Sequence, residues 1–152
     1  ANSGSSCRTS VCVDSCVEFF FTPGEDISQG YFNVEANCCG AMLLYHQMER
    51  GVGLVPVEDE DMDKIEAAHS MPKLITQEIT EPTTWTLEYR LPVSIFAKYA
   101  PVIMPKAGAE WKANFYKCGD DTSHPHWLTW SFVDKPKPDF HRPEFFGTLV
   151  FE

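Results

Sequence analysis

The run VCVDSCVEFFF, residues 11–21, constrains the fold more than any other part of the sequence. Its odd positions from 13 onward are valine, serine and phenylalanine, whereas Asp14 and Glu18 stand at even positions. Because successive side chains of a strand point to opposite faces, this alternation predicts a strand with one apolar face and one face that carries two carboxylates. A carboxylate in mid-strand, such as Glu18, is paired, solvated or placed to meet a ligand.

Similar short runs follow along the rest of the chain. Further strands are expected at 31–44, 41–46, 73–80, 84–91, 109–118, 126–132 and 145–152. A short helix is expected at 58–69, and Pro92 opens a helical turn. Strands separated by turn signals, without regular strand–helix alternation, predict an all-β fold, an antiparallel β-sandwich with short helical insertions. We interpret residues 1–10 as a polar tail and residues 11–152 as one domain.

The charge of the chain limits its partners. A net charge of −10 over 152 residues makes nucleic acid and anionic membrane surfaces poor partners, because both require basic patches. No apolar run approaches the roughly 20 residues that span a bilayer, so the chain is expected to be soluble. Nothing in the composition indicates a compartment.

Six cysteines are present, but a domain of this size does not need disulfides for stability. The sequence contains no CxxC pair, and a structural zinc site is therefore not expected. Cys16 and Cys118 fall within predicted strands, where buried free thiols are the simplest interpretation.

Two groups resemble metal motifs. Asp59, Asp61 and Asp63 imitate the start of a calcium loop, but Lys64 and Ser70 stand where that loop requires glycine and glutamate. The run therefore indicates a solvated acidic helix start.

The second group contains loop residues near the end of the chain, namely His124, His126, His141, Asp120 and Asp121. Two histidines separated by one strand residue project to the same side and can share a metal ion. Pro125 between them indicates a loop, so we expect solvent-exposed histidines.

The position of each tryptophan within its predicted strand indicates whether its side chain is buried. Trp85 and Trp111 share parity with apolar neighbours and are expected in the core. Trp127 and Trp130 lie on opposite parities of one predicted strand, so at most one is buried there, and the other could offer an aromatic surface to a ligand.

Polar side chains could gather on one sheet face if the predicted strands are neighbours. The candidates are Asp14, Glu18, Asn33, Glu35, Glu88, Arg90, Asn114 and Tyr116. A pyranose offers an apolar C–H face to an aromatic ring and a rim of hydroxyls to fixed polar groups. Such a face beside an aromatic residue is therefore suited to sugar binding.

The runs DSCVEFF, WKANFYKCGDD and DFHRPEFFGTLVFE together resemble a family-nine carbohydrate-binding module, specifically the small stand-alone proteins of that superfamily. The resemblance covers residues 11–152. It implies a β-sandwich that binds the ends of polysaccharides or simple sugars without cleaving them. Family members usually carry further strands before this point, so we expect an N-terminus that lacks them and a possible homodimer through the open sheet edge.

Residue by residue, the resemblance places the sugar-contacting glutamate at Glu18, a polar contact at Asn33 and an amide contact at Asn114. One aromatic platform falls on Phe140, and the second falls near Cys12, which has no ring. The resemblance and the parity of the strands thus select members of the same face.

His141 and Arg142 adjoin Phe140 and could hydrogen-bond a sugar, or they could anchor the proline-rich loop DKPKPDFHRP. We count both residues among the ligand-binding candidates.

The sequence thus predicts a non-catalytic protein that binds a neutral poly- or oligosaccharide of cellulose or xylan type, or a simple sugar. No cofactor is expected, and structural calcium is implied by the resemblance alone. Two alternatives stay open: a sandwich scaffold that has lost sugar binding and serves protein interaction, and a haem-binding relative that uses a methionine and a histidine. A glycosidase would need a carboxylate separation that the sequence does not give.

Overall fold

The structure is a computed structural model and describes residues 11–152; the predicted polar tail, residues 1–10, lies outside the described residues. The strands of the described chain are β1 (Cys16–Thr22), β2 (Tyr31–Asn37), β3 (Met42–Gln47), β4 (Val55–Pro56), β5 (Glu66–His69), β6 (Leu87–Arg90), β7 (Glu110–Gly119), β8 (His126–Thr129) and β9 (Gly147–Val150). The α-helices are α1 (Asp59–Met62) and α2 (Val93–Phe96). In the same residues, no helix is long and apolar enough to cross a membrane.

The strands form two antiparallel sheets. The larger sheet has the order β4-β3-β2-β1-β7-β8, and β9 also pairs with β7. β8 joins β7 along residues 116–119, and β9 joins the same strand along residues 110–113. The smaller sheet is the pair β5-β6. The fold is therefore the predicted all-β antiparallel sandwich, and the run VCVDSCVEFFF supplies most of its central strand, β1.

The apolar face of β1 builds the main core. Phe21 is fully buried and stacks on Trp111 of β7 at 5.3 Å between ring centroids. Phe96 of α2 meets the Phe21 ring edge-on at 4.9 Å, and Tyr89 of β6 packs against the same cluster. Full burial of one such ring stabilises the fold by about 1.5–3 kcal/mol. Pro92 caps α2, as its position in the sequence indicates, and so directs this short helix onto the sheet.

The opposite face of β1 is also covered, which corrects the expectation of an open polar face. Cys16, Glu18 and Phe20 are 0%, 5% and 0% exposed. Residues 134–143, which we call the cover segment, pack on this face. The ring of its His141 lies 4.9 Å from that of Phe20. A period of two in the sequence shows that the two faces differ, but not which distant segment packs on each.

Part of the predicted helix at 58–69 is a strand. α1 ends after one turn, and residues 66–69 form β5, which pairs Glu66 with Arg90 of β6. Acidic residues at 58–61 favour a helix start, but pairing with β6 determines the conformation of the following residues. Glu88 and Arg90 therefore lie in the smaller sheet and do not share the face of Glu18, in contrast to the prediction. Residues 73–80, a predicted strand, contain no strand in the described chain.

The calcium-like run has a structural role. Asp61 is fully buried, and its carboxylate lies 2.7 Å from Lys64 Nζ and 2.6 Å from Lys98 Nζ. Hydrogen bonds from these two lysines lower the pKa of Asp61. The carboxylate thus links α1 to the chain just after α2.

Candidate functional site

Glu18 and Glu35 occupy directly opposed positions on β1 and β2. They are 5% and 9% exposed. Burial, followed by the charge of Glu35, raises the pKa of Glu18 to about 11, and burial also raises the pKa of Glu35. Because two adjacent carboxylates cannot both ionise easily in a poorly solvated place, the pair retains a proton near neutral pH.

Each carboxyl group uses one oxygen inside the protein. The Cys118 thiol donates to Glu18 Oε1 at 3.0 Å, and the Asn33 amide donates to Glu35 Oε1 at 3.0 Å. Among residues 11–152, no side-chain or backbone donor bonds to the Oε2 atom of either glutamate. The pair therefore retains hydrogen-bonding capacity for a ligand.

A chain of polar side chains extends from Glu35 to the cover segment. Gln47 Nε2 donates to Asn33 Oδ1 at 2.9 Å and lies 3.2 Å from His141 Nδ1. The Tyr31 hydroxyl lies 2.8 Å from the same nitrogen. Burial lowers the pKa of His141 to about 4, so the ring is neutral at pH 7 and Nδ1 accepts from these donors. The structure thus joins the predicted residues Asn33 and His141 through Gln47, which sequence reasoning missed.

Phe140 lies where the resemblance places an aromatic platform, but one face of its ring is occupied. The ring stacks on Tyr116 at 4.2 Å between centroids, and the Tyr116 hydroxyl donates to the Phe140 carbonyl at 3.0 Å. Phe140 and Cys12, the two platform positions, both pack against one cluster of buried residues, namely Val11, Cys16, Leu43 and Cys118. The two positions therefore meet on the same part of the sheet.

Asn114 is on the same sheet face but has no exposed surface. Its amide donates to the Ser131 carbonyl at 2.9 Å, and its carbonyl oxygen accepts from the Ser131 and Phe115 backbone at 2.8 and 2.9 Å. Both polar atoms thus hold the chain after β8 against β7. Contact between Asn114 and a ligand stays a prediction.

Arg142 forms an ion pair within the cover segment, to which it belongs. Its Nε lies 2.6 Å from Asp139 Oδ2, and Arg50 lies 3.4 Å from the other oxygen of the same carboxylate. The backbone N–H of His141 also donates to Asp139 at 3.2 Å. These contacts support the loop-anchoring interpretation of Arg142, although 41% of its side chain remains exposed.

Trp127 is the tryptophan at the edge of this face. It pairs with Cys118 across β7 and β8, and its side chain is 44% exposed. Its indole N–H donates to Asp120 at 2.8 Å. Trp130, on the other parity, is 55% exposed and meets Phe115 edge-on. Neither tryptophan is buried, and only Trp127 shares the face of Glu18.

A separate cavity of about 440 Å³ lies between segments 13–15, 38–39, 71–85 and 121–126. Trp85 lines this cavity rather than the core, in contrast to the prediction, and its indole N–H donates to Ser15 Oγ at 3.2 Å. Four carboxylates also line it, those of Asp14, Glu78, Glu81 and Asp121. The long irregular segment 71–85 forms one wall of the cavity. Alternation of side chains predicts burial only within strands, so it could not predict the position of this segment.

The histidines that the sequence analysis compared with a metal motif do not lie together in the described chain. His126 ring nitrogens lie 2.7 Å from Lys117 Nζ and 2.8 Å from the His124 carbonyl, whereas His141 belongs to the Gln47 network. A different group of potential ligands does lie together: ligand atoms of Cys16, Glu18 and Cys118 all fall within 4.8 Å of one another.

Comparisons with known proteins agree with this architecture. The family model for carbohydrate-binding family 9 matches residues 4–151. A crystal structure of a "putative carbohydrate-binding protein" from Bacteroides uniformis ATCC 8492 is similar, with 34% sequence identity and a TM-score of 0.84. The similarity covers 95% of this chain and 64% of that one. No curated protein matches the chain.

Proposed function

The chain belongs to carbohydrate-binding family 9, and from that premise we propose that it binds a neutral saccharide, without cleaving it, around Glu18 and Glu35. The family model and the solved relative both support carbohydrate binding in general. The chain spans 64% of the length of that relative.

One observation carries the proposal: two adjacent carboxyl groups each have an oxygen that accepts no hydrogen bond within the described residues. A sugar hydroxyl is both donor and acceptor. A carboxyl pair that shares a proton can accept from one hydroxyl and donate to the next. Acceptors with negative charge also form stronger hydrogen bonds than neutral ones.

Two aromatic side chains supply apolar contact area beside this pair. Phe140 has one ring face on Tyr116, and its other face is the candidate surface for the C–H groups of a sugar ring. Trp127 offers a half-exposed indole at the edge of the same sheet face. It could replace the ring that is missing at Cys12.

Little of Glu18 and Glu35 is accessible. With 5% and 9% of their surfaces exposed, they offer a ligand little contact area unless the cover segment moves aside. Ion pairs of Asp139 with Arg50 and Arg142 hold that segment. We therefore expect weak binding to short saccharides.

Calorimetric titration with cello- and xylo-oligosaccharides and simple monosaccharides tests the proposal. Glu35→Gln should weaken binding about tenfold to a hundredfold, the effect of one charged hydrogen bond, and Glu18→Gln, whose carboxyl group already holds the proton, should weaken it less. Glu88→Gln is the matched control, because Glu88 is exposed on the smaller sheet. Saccharide binding by wild type that all three variants retain would place the site elsewhere.

Trp85→Ala distinguishes the separate cavity from the Glu18 face. Loss of binding in this variant alone, with an unchanged melting temperature, would transfer the sugar site to the cavity lined by Trp85. Absence of binding to every sugar by the folded wild type would favour the protein-interaction alternative. A reducing-sugar assay on the same oligosaccharides checks the non-catalytic assignment, and a visible absorption band would instead favour the haem-binding relative.

A further inference from the structure

Three potential metal ligands meet on the covered face of the larger sheet. Cys16 and Cys118 are directly opposed on β1 and β7, and Glu18 is two residues further along β1, hence on the same face. The three side chains are 0%, 1% and 5% exposed. One sulfur or oxygen atom of each lies within 4.8 Å of those of the other two.

The donor set matches the preferences of zinc. Zinc binds thiolates at about 2.3 Å and carboxylates at about 2.0–2.2 Å, usually in a tetrahedron. Ligand atoms around such an ion are therefore roughly 3–4 Å apart, as these distances require. The Cys118 sulfur is 3.0 Å from Glu18 Oε1, so only small side-chain rotations are needed for all three atoms to face one ion.

The surroundings supply candidates for a fourth ligand. The Cys12 carbonyl oxygen lies 3.8 Å from the Cys118 sulfur, and the Cys12 thiol belongs to the same half-buried corner. Glu35 is opposed to Glu18 on the other side. The fourth position is thus bordered by a thiol and a carboxyl group.

The chemistry of the neighbouring side chains also favours a cation here. Cys12, Glu18 and Glu35 lie around the two buried thiols, and within the described residues no lysine or arginine side chain hydrogen-bonds to either glutamate. A divalent ion binds thiolate and carboxylate groups directly. Binding would release the protons of Cys16, Cys118 and Glu18 to solvent, and no redox step is involved.

We propose that Cys16, Glu18 and Cys118 form a binding site for a divalent, thiolate-preferring metal ion, with zinc as the expected occupant. The absence of a CxxC pair from the sequence does not conflict with this site, because β1 and β7 bring together residues that are about a hundred positions apart. The inference does not depend on sugar binding. Since Glu18 takes part in both, the saccharide titrations are to be done with and without zinc.

The test uses the full chain, reduced and freed of metal with a chelator. Titration with Co²⁺ should give a sulfur-to-cobalt charge-transfer band that saturates at one ion per chain, and Zn²⁺ should displace the cobalt. Cys16→Ser and Cys118→Ser should each weaken binding at least a hundredfold. Cys39→Ser is the matched control, because Cys39 is half-buried beside Cys38 and outside the group; it should bind as wild type does.

X-ray absorption on the zinc-loaded wild type keeps the proposal testable if a cysteine variant fails to fold. Two sulfur ligands at about 2.3 Å with oxygen or nitrogen at about 2.0 Å would support the site, and a third sulfur would identify Cys12 as the fourth ligand. A sulfur-free spectrum, no Co²⁺ band, or equal binding by wild type and the folded Cys16→Ser/Cys118→Ser double variant would overturn it. None of these results depends on saccharide binding, so the two proposals fail separately.

Discussion

Glu18 and Glu35 face each other across β1 and β2 with both carboxyl groups almost completely buried. Two like groups at this separation oppose each other's ionisation, and burial adds to the effect. The described residues place no lysine or arginine in hydrogen-bonding contact with either carboxyl group. Such an arrangement destabilises the folded state at high pH. A ligand or cation that binds the two carboxyl groups would offset this destabilisation.

Stability should therefore fall as the pH rises above about 4.5. The folded protein keeps the Glu18 proton up to about pH 11, whereas the unfolded chain loses it near 4.5. Between these values unfolding releases a proton, and the free energy of unfolding decreases by at most about 1.4 kcal/mol per pH unit. The glutamine in Glu18→Gln does not ionise. The free energy of unfolding of this variant, relative to that of wild type, should therefore increase from pH 5 to pH 8. Urea denaturation at each pH measures the difference.

Glu88→Gln again serves as the control and should follow wild type at every pH, since Glu88 is exposed. A constant difference between Glu18→Gln and wild type from pH 5 to pH 8 would contradict a shared, retained proton at the Glu18–Glu35 pair.

His141 should act in the opposite direction and in a lower pH range. Its folded pKa is about 4 against 6.5 in the unfolded chain, so the stability that it contributes is present above 6.5 and is lost as the pH falls towards 4. His141→Ala should remove this acid sensitivity and should also cost about 1 kcal/mol for each hydrogen bond lost from Tyr31 and Gln47.

Thermal melting of wild type and His141→Ala between pH 4 and pH 7 measures this contribution. The His124→Ala variant is the comparison, because His124 is exposed and lies outside the Gln47 network. Parallel melting curves for wild type and His141→Ala over the whole range would contradict a buried, neutral His141.

Phe140→Ala should release the cover segment from the sheet. The substitution removes the stacking on Tyr116 and the packing over Cys16 and Cys118, which together stabilise by about 2 kcal/mol. Hydrogen exchange should show faster exchange in residues 134–143, with β1 and β2 unchanged. Tyr116→Phe keeps the ring pair and loses only the hydroxyl bond to the Phe140 carbonyl, so its effect should be about half as large. Equal exchange in Phe140→Ala and wild type would show that the contacts of Asp139 and His141 hold the segment without the Phe140 ring.

Asp61→Asn should loosen α1 through the loss of its ion pairs with Lys64 and Lys98. Those lysines hold the pKa of Asp61 below its usual range, so the pairs contribute above that range and are lost as the pH falls through the lowered value. A lower melting temperature at pH 7, converging with wild type in acid, is expected. Asp63→Asn, at an exposed neighbouring position, should leave the melting temperature unchanged.

Strands with regular alternation were predictable from the sequence. The run at 109–118 corresponds to β7 within one residue, and Pro92 correctly indicated the start of α2. The helix at 58–69 was predicted too long, because the pairing of β5 with β6 depends on residues some twenty positions away. Trp85 shares the parity of a core strand, but β6 begins only at Leu87, so parity does not determine its environment.

The site was predictable only in part. Parity placed Glu18, Asn33, Glu35, Asn114 and Tyr116 on one face, and the register of the strands agrees. Gln47 gave no signal, because its partners are an amide on β2 and a histidine in a distant loop. The sequence also could not predict that this face is buried, because the segment that covers it lies more than a hundred residues further along the chain.

The shared edge of β7 has a consequence for the cover segment. β8 ends and β9 begins on the same strand, so the chain between them leaves and returns at two fixed points of one sheet edge. Asn114, between those points, holds the departing chain through Ser131. The cover segment can therefore change in length and sequence without disturbing any β-ladder. Substitutions in this one segment would therefore alter what covers Glu18 and Glu35, while the strands that carry both glutamates keep their pairing.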